Sequence, residues 1–377
     1  MTAWPTVLLG EIATIDRNTV LPSEIDSGTT YIGLENILSG GELAHVGAVE
    51  AGHLASAKFR FSPEHILYGK LRPYLAKIAI SEYSGVCSTD ILPIRPSKGL
   101  DKQYLLQVLR QPSMIDLANA RSSGANLPRL SPTELLKFTI PFPPLAEQRR
   151  IAAILDHVDA LRAKRRKALT YLSELNRSIF QELDRRVDDV ISVEDAVEKI
   201  IDYRGKSPVK TSFGVPLVTA KIIKDGRILP AEEFIAERDY SEWMRRGLPI
   251  VGDVLFTSEA PLGSVAQIVN ERVALAQRVI LLRAKHGIFD NTFLMHALRS
   301  VRVRDRIDRR STGSTVRGIR QSELRKVLLP IPPLAEQLLF SDAAKRISLL
   351  ELQNRTALSE LDTLFASLQS RAFRGEL

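Results

Sequence analysis

The 377-residue sequence is poor in the residues that build disulfides and metal sites. Cys87 is its one cysteine, so neither an intrachain disulfide nor a cysteine-rich zinc site can form. The six histidines are scattered, without the spacing of metal ligands. No apolar run approaches the roughly 20 residues that span a bilayer, and the N-terminal segment lacks the pattern of a signal peptide. These absences predict a cytoplasmic protein that binds neither metal nor membrane.

Motifs of nucleotide chemistry are missing as well. The sequence contains no complete G-x-x-x-x-G-K-[ST] phosphate loop and no Asn-Pro-Pro-Tyr or Asp-Pro-Pro-Tyr tetrapeptide of the adenine methyltransferases. We therefore expect that the chain is not an enzyme and binds no cofactor itself, so that any chemistry comes from partners.

The composition is that of an ordinary globular protein with an excess of positive charge. Hydrophobic residues make up 44% and charged residues 25%, which suffices for a conventional core, and the length suggests two or three domains. Lysine and arginine outnumber aspartate and glutamate by 52 to 44, for a net charge of +8. This balance favours a polyanionic partner such as nucleic acid, although the charge alone is a weak signal.

An internal repeat is the most informative feature. Pro141 to Gln148 read PFPPLAEQ and Pro330 to Gln337 read PIPPLAEQ, so that seven of eight positions agree at an offset of 189 residues. The front of each half diverges, whereas the back is similar. Tandem duplication of a structural domain explains the repeat itself. A protein that reads two different targets while presenting two equivalent surfaces would explain why only the fronts diverged.

Each back is predicted to be a long helix. From Leu145 to about Leu183 the apolar residues follow a heptad pattern, and such a helix would be about 58 Å long. We expect the two helices to pair with each other, while the alternative is that each packs on its own globular domain. Polar residues interrupt the seam, and the basic run 162–167 is either a solvated face or a contact for DNA or an acidic partner. The predicted pairing residues are Ile151, Leu155, Val158, Leu169, Leu172, Ile179, Leu183, Phe340, Ile347, Leu358, Leu361, Phe365 and Leu368.

Each front is predicted to be a mixed α/β domain with two loops suited to DNA. Residues 68–77 and 256–264 combine glycine, proline and polar or basic groups, and residues 121–126 and 310–315 place small polar side chains beside glycine. Arginine and lysine reach base edges or phosphates, and small hydroxyl residues suit close approach to a phosphate backbone. For any one residue a plain turn is the competing interpretation. The candidate DNA-binding residues are Lys70, Arg72, Tyr74, Lys77, Arg121, Ser122, Ser123, Asn126, Arg129, Thr257, Ser258, Ser311, Thr312, Ser314, Thr315, Arg317 and Arg320.

With its two P-P-L-A-E-Q elements, each opening a long helix, the chain resembles the specificity (S) subunits of type I restriction–modification systems. The tract Leu67 to Leu75 and the Ser-Ser-Gly-Ala-Asn-Leu loop resemble that family too. The second front is less typical, because Ala260 stands where the first front has Arg72. The resemblance implies an α/β (α+β) tandem repeat with a pseudo-twofold axis, in which two target-recognition domains are joined and separated by two long antiparallel coiled-coil helices. The corresponding boundaries are 1–142, 143–187, 188–331 and 332–377.

The same resemblance implies the function and the partners. The chain would read a bipartite target in double-stranded DNA and dock two modification (methyltransferase) subunits and the restriction (translocase-nuclease) subunits. Those partners would use S-adenosylmethionine, ATP and magnesium. Two alternatives remain open at this point: a freestanding duplicated DNA-binding regulator, and a coiled-coil adaptor that binds no DNA.

Overall fold

The computed structural model describes residues 4–50, 52–203 and 207–377, which form two compact units. The first unit comprises Met1–Arg166 with Thr356–Leu377, and the second comprises Lys167–Arg355. The division therefore cuts both long helices rather than following the predicted boundaries, which stay predictions.

The first unit contains a globular domain of short strands and helices. Its elements are β1 (Thr6–Leu8), α1 (Leu9–Ile12), β2 (Ala13–Ile15), β3 (Thr19–Val20), β4 (Thr29–Ile32), β5 (Gly47–Val49), β6 (Lys58–Phe61), β7 (Ile66–Gly69), β8 (Ile78–Ile80), β9 (Gly85–Cys87), β10 (Ile91–Pro96), α2 (Lys102–Leu109), α3 (Pro112–Ala120), α4 (Pro132–Leu136) and β11 (Thr139–Pro141). The first long helix, α5 (Leu145–Arg185), follows.

The second unit repeats this order with variations. Its elements are β12 (Val190–Ser192), α6 (Val193–Ala196), β13 (Val197–Asp202), β14 (Lys210–Thr211), β15 (Val215–Val218), β16 (Ile223–Lys224), β17 (Arg227–Ile228), β18 (Phe234–Ile235), α7 (Tyr240–Trp243), β19 (Val254–Thr257), β20 (Val265–Gln267), β21 (Ala274–Leu275), β22 (Val279–Ala284), α8 (Asn291–Arg299), α9 (Val301–Arg310), α10 (Gln321–Leu324) and β23 (Leu328–Pro330). The second long helix, α11 (Leu334–Arg374), ends the chain.

A four-stranded antiparallel sheet is common to both units. Its order is β2-β10-β7-β8 in the first unit and β13-β22-β19-β20 in the second. Leu67 of β7 lies opposite Pro93, and Leu255 of β19 lies opposite Leu281 at the same place in the ladder. The mixed α/β fold, the tandem repeat and the two long helices predicted from the sequence are thus confirmed.

One of the two inner strands of this sheet, β7 in the first unit and β19 in the second, is buried on both faces. Along β7, Ile66 and Tyr68 enter one hydrophobic cluster and Leu67 enters another, as the two-residue period of a strand requires. In β19, Phe256 and Leu255 divide in the same way. Burial of each large apolar side chain contributes about 1.5–3 kcal/mol, which fixes the register of the strand and of the loop that follows it.

The more distal sheets differ between the units. In the first unit the parallel pair β4–β9 lies within the order β3-β6-β9-β4-β5, whereas in the second the parallel pair β15–β21 lies at one side of β14-β18-β15-β21. The apolar run from Tyr31 to Ile37 is not one continuous strand. β4 ends at Ile32, and a 3-10 turn follows because the Asn36 side chain accepts a hydrogen bond of 2.8 Å from the Gly33 amide.

Each long helix contributes its two ends to different units. In the first unit, Ile151 and Leu155 of α5 pack with domain residues such as Phe138 and also with Ala372 of α11. Arg162, the first residue of the basic run 162–167, donates to Asp362 at 2.6 Å and lies over the Phe365 ring. Within this unit the helix therefore contacts its own domain as well as the other helix, so the two packing alternatives occur together.

The second unit has the corresponding arrangement. Phe180 of α5 packs on Phe340 of α11, with ring centroids 5.4 Å apart, and on Phe293 of α8 at 5.3 Å. The remaining predicted pairing residues vary in burial. Leu368 and Phe365 lie against the core of the first unit, Ile179 and Leu183 lie against the core of the second, Val158 and Ile347 are buried, and Leu169, Leu172, Leu358 and Leu361 are half-buried.

The glutamine of the repeated P-P-L-A-E-Q element explains why that element recurs. Gln148 is fully buried, accepts a hydrogen bond from the Asp101 amide at 2.8 Å, and donates to the carbonyls of Pro143 and Gly99. Gln337 makes the same three bonds, with the Asp290 amide, Pro332 and Ile288. These bonds fasten the start of each long helix to the start of α2 or α8, and we call each set a glutamine clamp.

Among the described residues, no helix is long and apolar enough to cross a bilayer.

Candidate nucleic-acid interface

The two candidate loops of the first unit lie side by side. The Leu130 amide donates to the Lys70 carbonyl at 2.9 Å, and the Arg72 amide donates to the Pro128 carbonyl at 2.7 Å. Leu71 and Arg129 form a β-bridge between the loops. Two segments far apart in sequence therefore present one surface, as a binding site made of loops on a rigid sheet requires.

Backbone conformation sets the direction of the first loop. Arg72 has φ 52° and Ala76 has φ 49°, which is the left-handed backbone region that residues other than glycine rarely adopt. A 3-10 turn, Pro73–Leu75, lies between them and leaves the Tyr74 ring half-exposed. Strain of this kind persists only where neighbouring bonds hold it, and it concentrates at functional sites. The tie from Arg72 to Pro128 is one such bond.

The second loop is closed by a reciprocal pair of hydrogen bonds. The amides of Ser123 and Arg129 donate to each other's carbonyls at 3.0 and 2.9 Å. Gly124 has φ 104°, and a Cβ there would lie 3.0 Å from the Leu127 carbonyl oxygen, so glycine is needed for the turn. Ser123 and Asn126 are exposed at the tip, whereas the Ser122 hydroxyl donates to Ala118 at the end of α3.

Ion pairs engage most of the basic groups of this surface. Asp90 lies 3.7 Å from the Lys70 ammonium and 3.4 Å from Arg129. Arg121 binds Glu134 at 3.1 Å, and hydrogen bonds from Lys137 and then from Arg121 lower the pKa of that carboxyl. Within the described ranges, no carboxylate lies within 4.0 Å of the Arg72 guanidinium.

The second unit builds the same pair of loops. The Ile319 amide donates to the Ser258 carbonyl at 2.9 Å, and Glu259 and Gly318 form the equivalent bridge. Thr312 and Gly318 exchange two hydrogen bonds of 2.9 Å, and Gly313 repeats the φ of 104°. An arginine–glutamate–lysine cluster is repeated as well, in Arg310, Glu323 and Lys326.

This geometry can be set beside known proteins. The sequence matches the family described as Type I restriction modification DNA specificity domain at residues 1–171 and 219–358. The chain belongs to this family. Its family membership confirms the predicted specificity subunit over the two alternatives of a freestanding regulator and a coiled-coil adaptor.

Individual members of the type I specificity family are distant from the chain. The type I restriction enzyme EcoDI specificity subunit of Escherichia coli is 32% identical over 130 residues, which cover 33% of this chain and 29% of the relative. The EcoBI specificity subunit of the same species is 22% identical over 360 residues, or 84% and 74% of the two chains. A crystal structure of the type I S subunit from M. genitalium is 14% identical, covers 99% of each chain, and has a TM-score of 0.64. At that identity the structural likeness concerns the fold.

The two loop pairs of this specificity-family member carry opposite charges at matching places. In the first unit Asp90 forms ion pairs with the basic side chains of Lys70 and Arg129. In the second unit the matching position is Arg278, which pairs with Glu259 at 2.8 Å. Ala260, with φ 47°, occupies the place of Arg72. Asp90 and Arg278 were missed by sequence analysis. The two positions are 188 residues apart, as Leu67 and Leu255 are, and this common offset could have matched them.

Three candidates are directed into the protein. The Lys77 ammonium donates to the Leu34 carbonyl at 2.5 Å. Thr257 and Ser258 are buried, and their hydroxyls donate to the carbonyls of Pro261 and Arg278 inside the loop. We therefore assign these three side chains to holding the loops in shape, and their contact with DNA stays an untested prediction.

The other candidates of the second unit lie at the surface. Arg320 lines a shallow depression of about 400 Å³ together with Glu259, Arg278 and Thr312. The Ser311 hydroxyl donates to Asp308 at 2.7 Å and caps the end of α9. The exposed members of the predicted set are Thr312, Ser314, Thr315, Arg317 and Arg320.

Proposed function

We propose that the chain is a specificity subunit that reads a bipartite DNA target, with one loop pair for each block of sequence. The observation that carries the proposal is the repeated loop pair, which has one backbone arrangement in both units and different side chains. Phosphate contacts position a protein on DNA, whereas base contacts specify the sequence. A constant backbone with variable side chains suits a reader of two unlike blocks.

In the first unit Arg72 is the strongest candidate for a base contact. It is exposed, it has no ion pair within 4.0 Å among the described residues, and its backbone is held by the Pro128 tie. Arginine binds guanine edges through two parallel hydrogen bonds. Lys70 and Arg129 share Asp90, which holds both cations in place, and cations held in place suit contacts that position phosphates. Tyr74, Ser123 and Asn126 are exposed beside them.

In the second unit the exposed Arg317 and Arg320 take the corresponding roles. Glu259 beside Arg278 adds an acceptor that the first unit does not have at this place. A carboxylate accepts hydrogen bonds from the cytosine amino group. The two units should therefore prefer different base pairs.

We further propose that the chain itself is not catalytic and works in the cytoplasm with modification and restriction subunits. Methyl transfer from S-adenosylmethionine and ATP- and magnesium-dependent translocation and cleavage would belong to those partners. The family membership supports this division of labour. The buried free thiol of Cys87 suits a reducing compartment.

Methylation mapping tests the proposal. The full chain is expressed with its modification subunits, and methylated adenines are mapped by sequencing. Arg72→Ala should relax one base position in one block, at a cost of about 1–3 kcal/mol, and leave the other block intact. The untouched block shows that the variant is folded.

Lys98→Ala, which removes another exposed positive charge outside the loops, is the matched control and should change neither block. Equal relaxation of both blocks by Arg72→Ala, or an unaltered pattern, would contradict the assignment of one loop pair to each block.

A further inference from the structure

The second unit contains a cavity of about 940 Å³ that shares no residue with its loop pair. Its walls come from the C-terminal part of α5, the turn between β16 and β17, α8, the start of α9 and the middle of α11. The volume falls within the range of about 300–1,000 Å³ that is usual for small-molecule sites.

Arginine dominates the walls. The six lining arginines are Arg177, Arg185, Arg227, Arg299, Arg302 and Arg355. The four lining carboxylates are Asp184, Asp225, Asp305 and Glu351. Arg302 pairs with Asp184 at 3.6 Å and Arg355 with Glu351 at 3.7 Å. Within the described ranges, Arg177, Arg227 and Arg299 have no carboxylate within 4.0 Å.

Hydrogen-bonding groups of the walls are also unmatched. Among the described residues, six buried side-chain atoms have no hydrogen-bond partner, and four of them line this cavity. Two are donors, the Nε atoms of Arg227 and Arg355, and two are acceptors, the Oδ1 atoms of Asn176 and Asp184. Buried polar atoms are normally paired, so this concentration indicates a place built for a polar ligand.

The first unit supplies an internal comparison. Arg110 occupies the position of Arg299, and a Cβ on the adjacent glycine, Gly41 or Gly226, would clash with the guanidinium in either unit. Arg110 donates to the carbonyls of Ile78 and Gly41 and lies 3.9 Å from Asp159. Burial lowers the pKa of Arg110, and Asp159 and Asp156 oppose that effect. The first unit thus neutralises its arginine from within.

The second unit has lost these internal anions. Ser348 and Lys345 stand where α5 has Asp159 and Asp156, at the offset of 189. At the turn, Arg227 replaces Glu42, at the offset of 185. Burial lowers the pKa of Arg299; Asp225 and Glu351 oppose it from beyond 4.0 Å, and Arg177 adds to it. Asp225 and Glu351 thus offset part of the burial cost of Arg299, but neither forms an ion pair with it within 4.0 Å. Six lining arginines against four lining carboxylates leave the cavity wall with a net positive charge.

We propose that this cavity binds a small phosphate ester carrying a di- or triphosphate group. The guanidinium groups of Arg177, Arg227 and Arg299, which have no carboxylate within 4.0 Å in the described ranges, would bind phosphate oxygens, whose geometry matches the donor fork of arginine. The Asn176 Oδ1 requires a donor, which a hydroxyl or amino group of the organic part would supply. His296 on the wall has its pKa lowered by burial to about 3, so it adds an uncharged ring rather than a further cation.

Titration calorimetry of the full chain with sodium triphosphate and with ATP, both without divalent cations, tests the site. The decisive variant is Ser348→Asp, which restores the carboxylate of the first unit on an exposed helix position. It should weaken binding of both probes at least tenfold. Arg299→Ala should do the same, and its unliganded melting temperature shows whether it has folded.

Two control variants distinguish binding in the cavity from attraction of the probes by the overall positive charge of the chain. Ser348→Asn keeps a polar group without charge, and Arg346→Ala removes an exposed positive charge from the same helix outside the cavity; both should bind within twofold of the parent chain. Tighter binding of ATP than of triphosphate supports a phosphate ester. No binding of either probe, an equal loss in Arg346→Ala, or displacement of triphosphate by a short DNA duplex in the parent and the Ser348→Asp chain alike would overturn the proposal.

Discussion

The two units share a backbone plan and differ in where they place charge. Both have the four-stranded sheet, the bridged loop pair and the glutamine clamp. Yet Asp90 is matched by Arg278 on the loops, and Asp159 by Ser348 on the long helix. The shared set consists mainly of hydrogen bonds to backbone groups and buried apolar side chains, and the set that differs includes charges on the loops and on the cavity wall. The residues that hold the shared backbone are therefore largely distinct from the charged residues that differ between the units.

The largest expected effect tests whether the glutamine clamp stabilises both units equally. Gln148→Ala and Gln337→Ala each remove three buried hydrogen bonds and leave backbone groups unpaired, for a loss of about 3 kcal/mol in the free energy of unfolding. Hydrogen exchange resolved by unit would measure each loss. Glu147→Ala and Glu336→Ala in the same motif should cost under about 1 kcal/mol. Unequal losses at the two glutamines would mean that the clamps are not equivalent.

Acid should destabilise the second unit more than the first, because His296 in the second unit occupies the position of Gln107 in the first. The pKa of His296 is about 3 when folded and 6.5 ordinarily. Below pH 6.5 the unfolded state binds a proton that the folded state does not, so stability is full above that pH and falls as the pH decreases. The loss is about 2 kcal/mol at pH 5. His296→Gln should abolish this extra acid sensitivity in urea titrations at pH 7 and pH 5, and an unchanged difference between the two pH values would contradict it.

A smaller effect is expected from making the loops more alike. Ala260→Arg places arginine on a backbone with φ 47°, close to the 52° of Arg72. The second block should gain a preference at one base position of about 1 kcal/mol, while the first block stays as it was. Methylation mapping would show it, with Ala260→Gln as the uncharged control. A change in the first block would show that the units do not read independently.

The smallest effect concerns the partly buried charge pair between the long helices in the first unit. Arg162→Ala removes the pair with Asp362 and the contact with the Phe365 ring, at a cost of about 0.5 kcal/mol. The pair in the second unit, Arg355 with Glu351, should be worth no more when Arg355→Ala breaks it. Denaturation in 0.05 and 0.5 M salt would measure both. A cost that does not fall with salt would mean that packing rather than charge dominates at Arg162.

The sequence alone predicted what recurs along the chain. The P-P-L-A-E-Q repeat located the starts of both long helices, and glycine with small polar residues located the loops around Gly124 and Gly313. The sequence pattern could not predict contacts between segments that lie far apart along the chain. Asp90 immediately precedes β10 and meets Arg129 only because the sheet brings the two segments together. The heptad pattern could not show that Leu155 packs on its own domain as well as on α11, since both partners bury the same stripe.

The glutamine clamp has a consequence for descent. Gln148 bonds only to backbone atoms of its neighbours, the Asp101 amide and the carbonyls of Gly99 and Pro143. Backbone groups are present whatever side chain a position carries, so substitutions in the rest of the front leave the joint satisfied. A lineage can therefore change front side chains that do not pack on the helix by point mutation, without a compensating change at Gln148. The side chains of one half could then diverge while the joint to its helix stays the same.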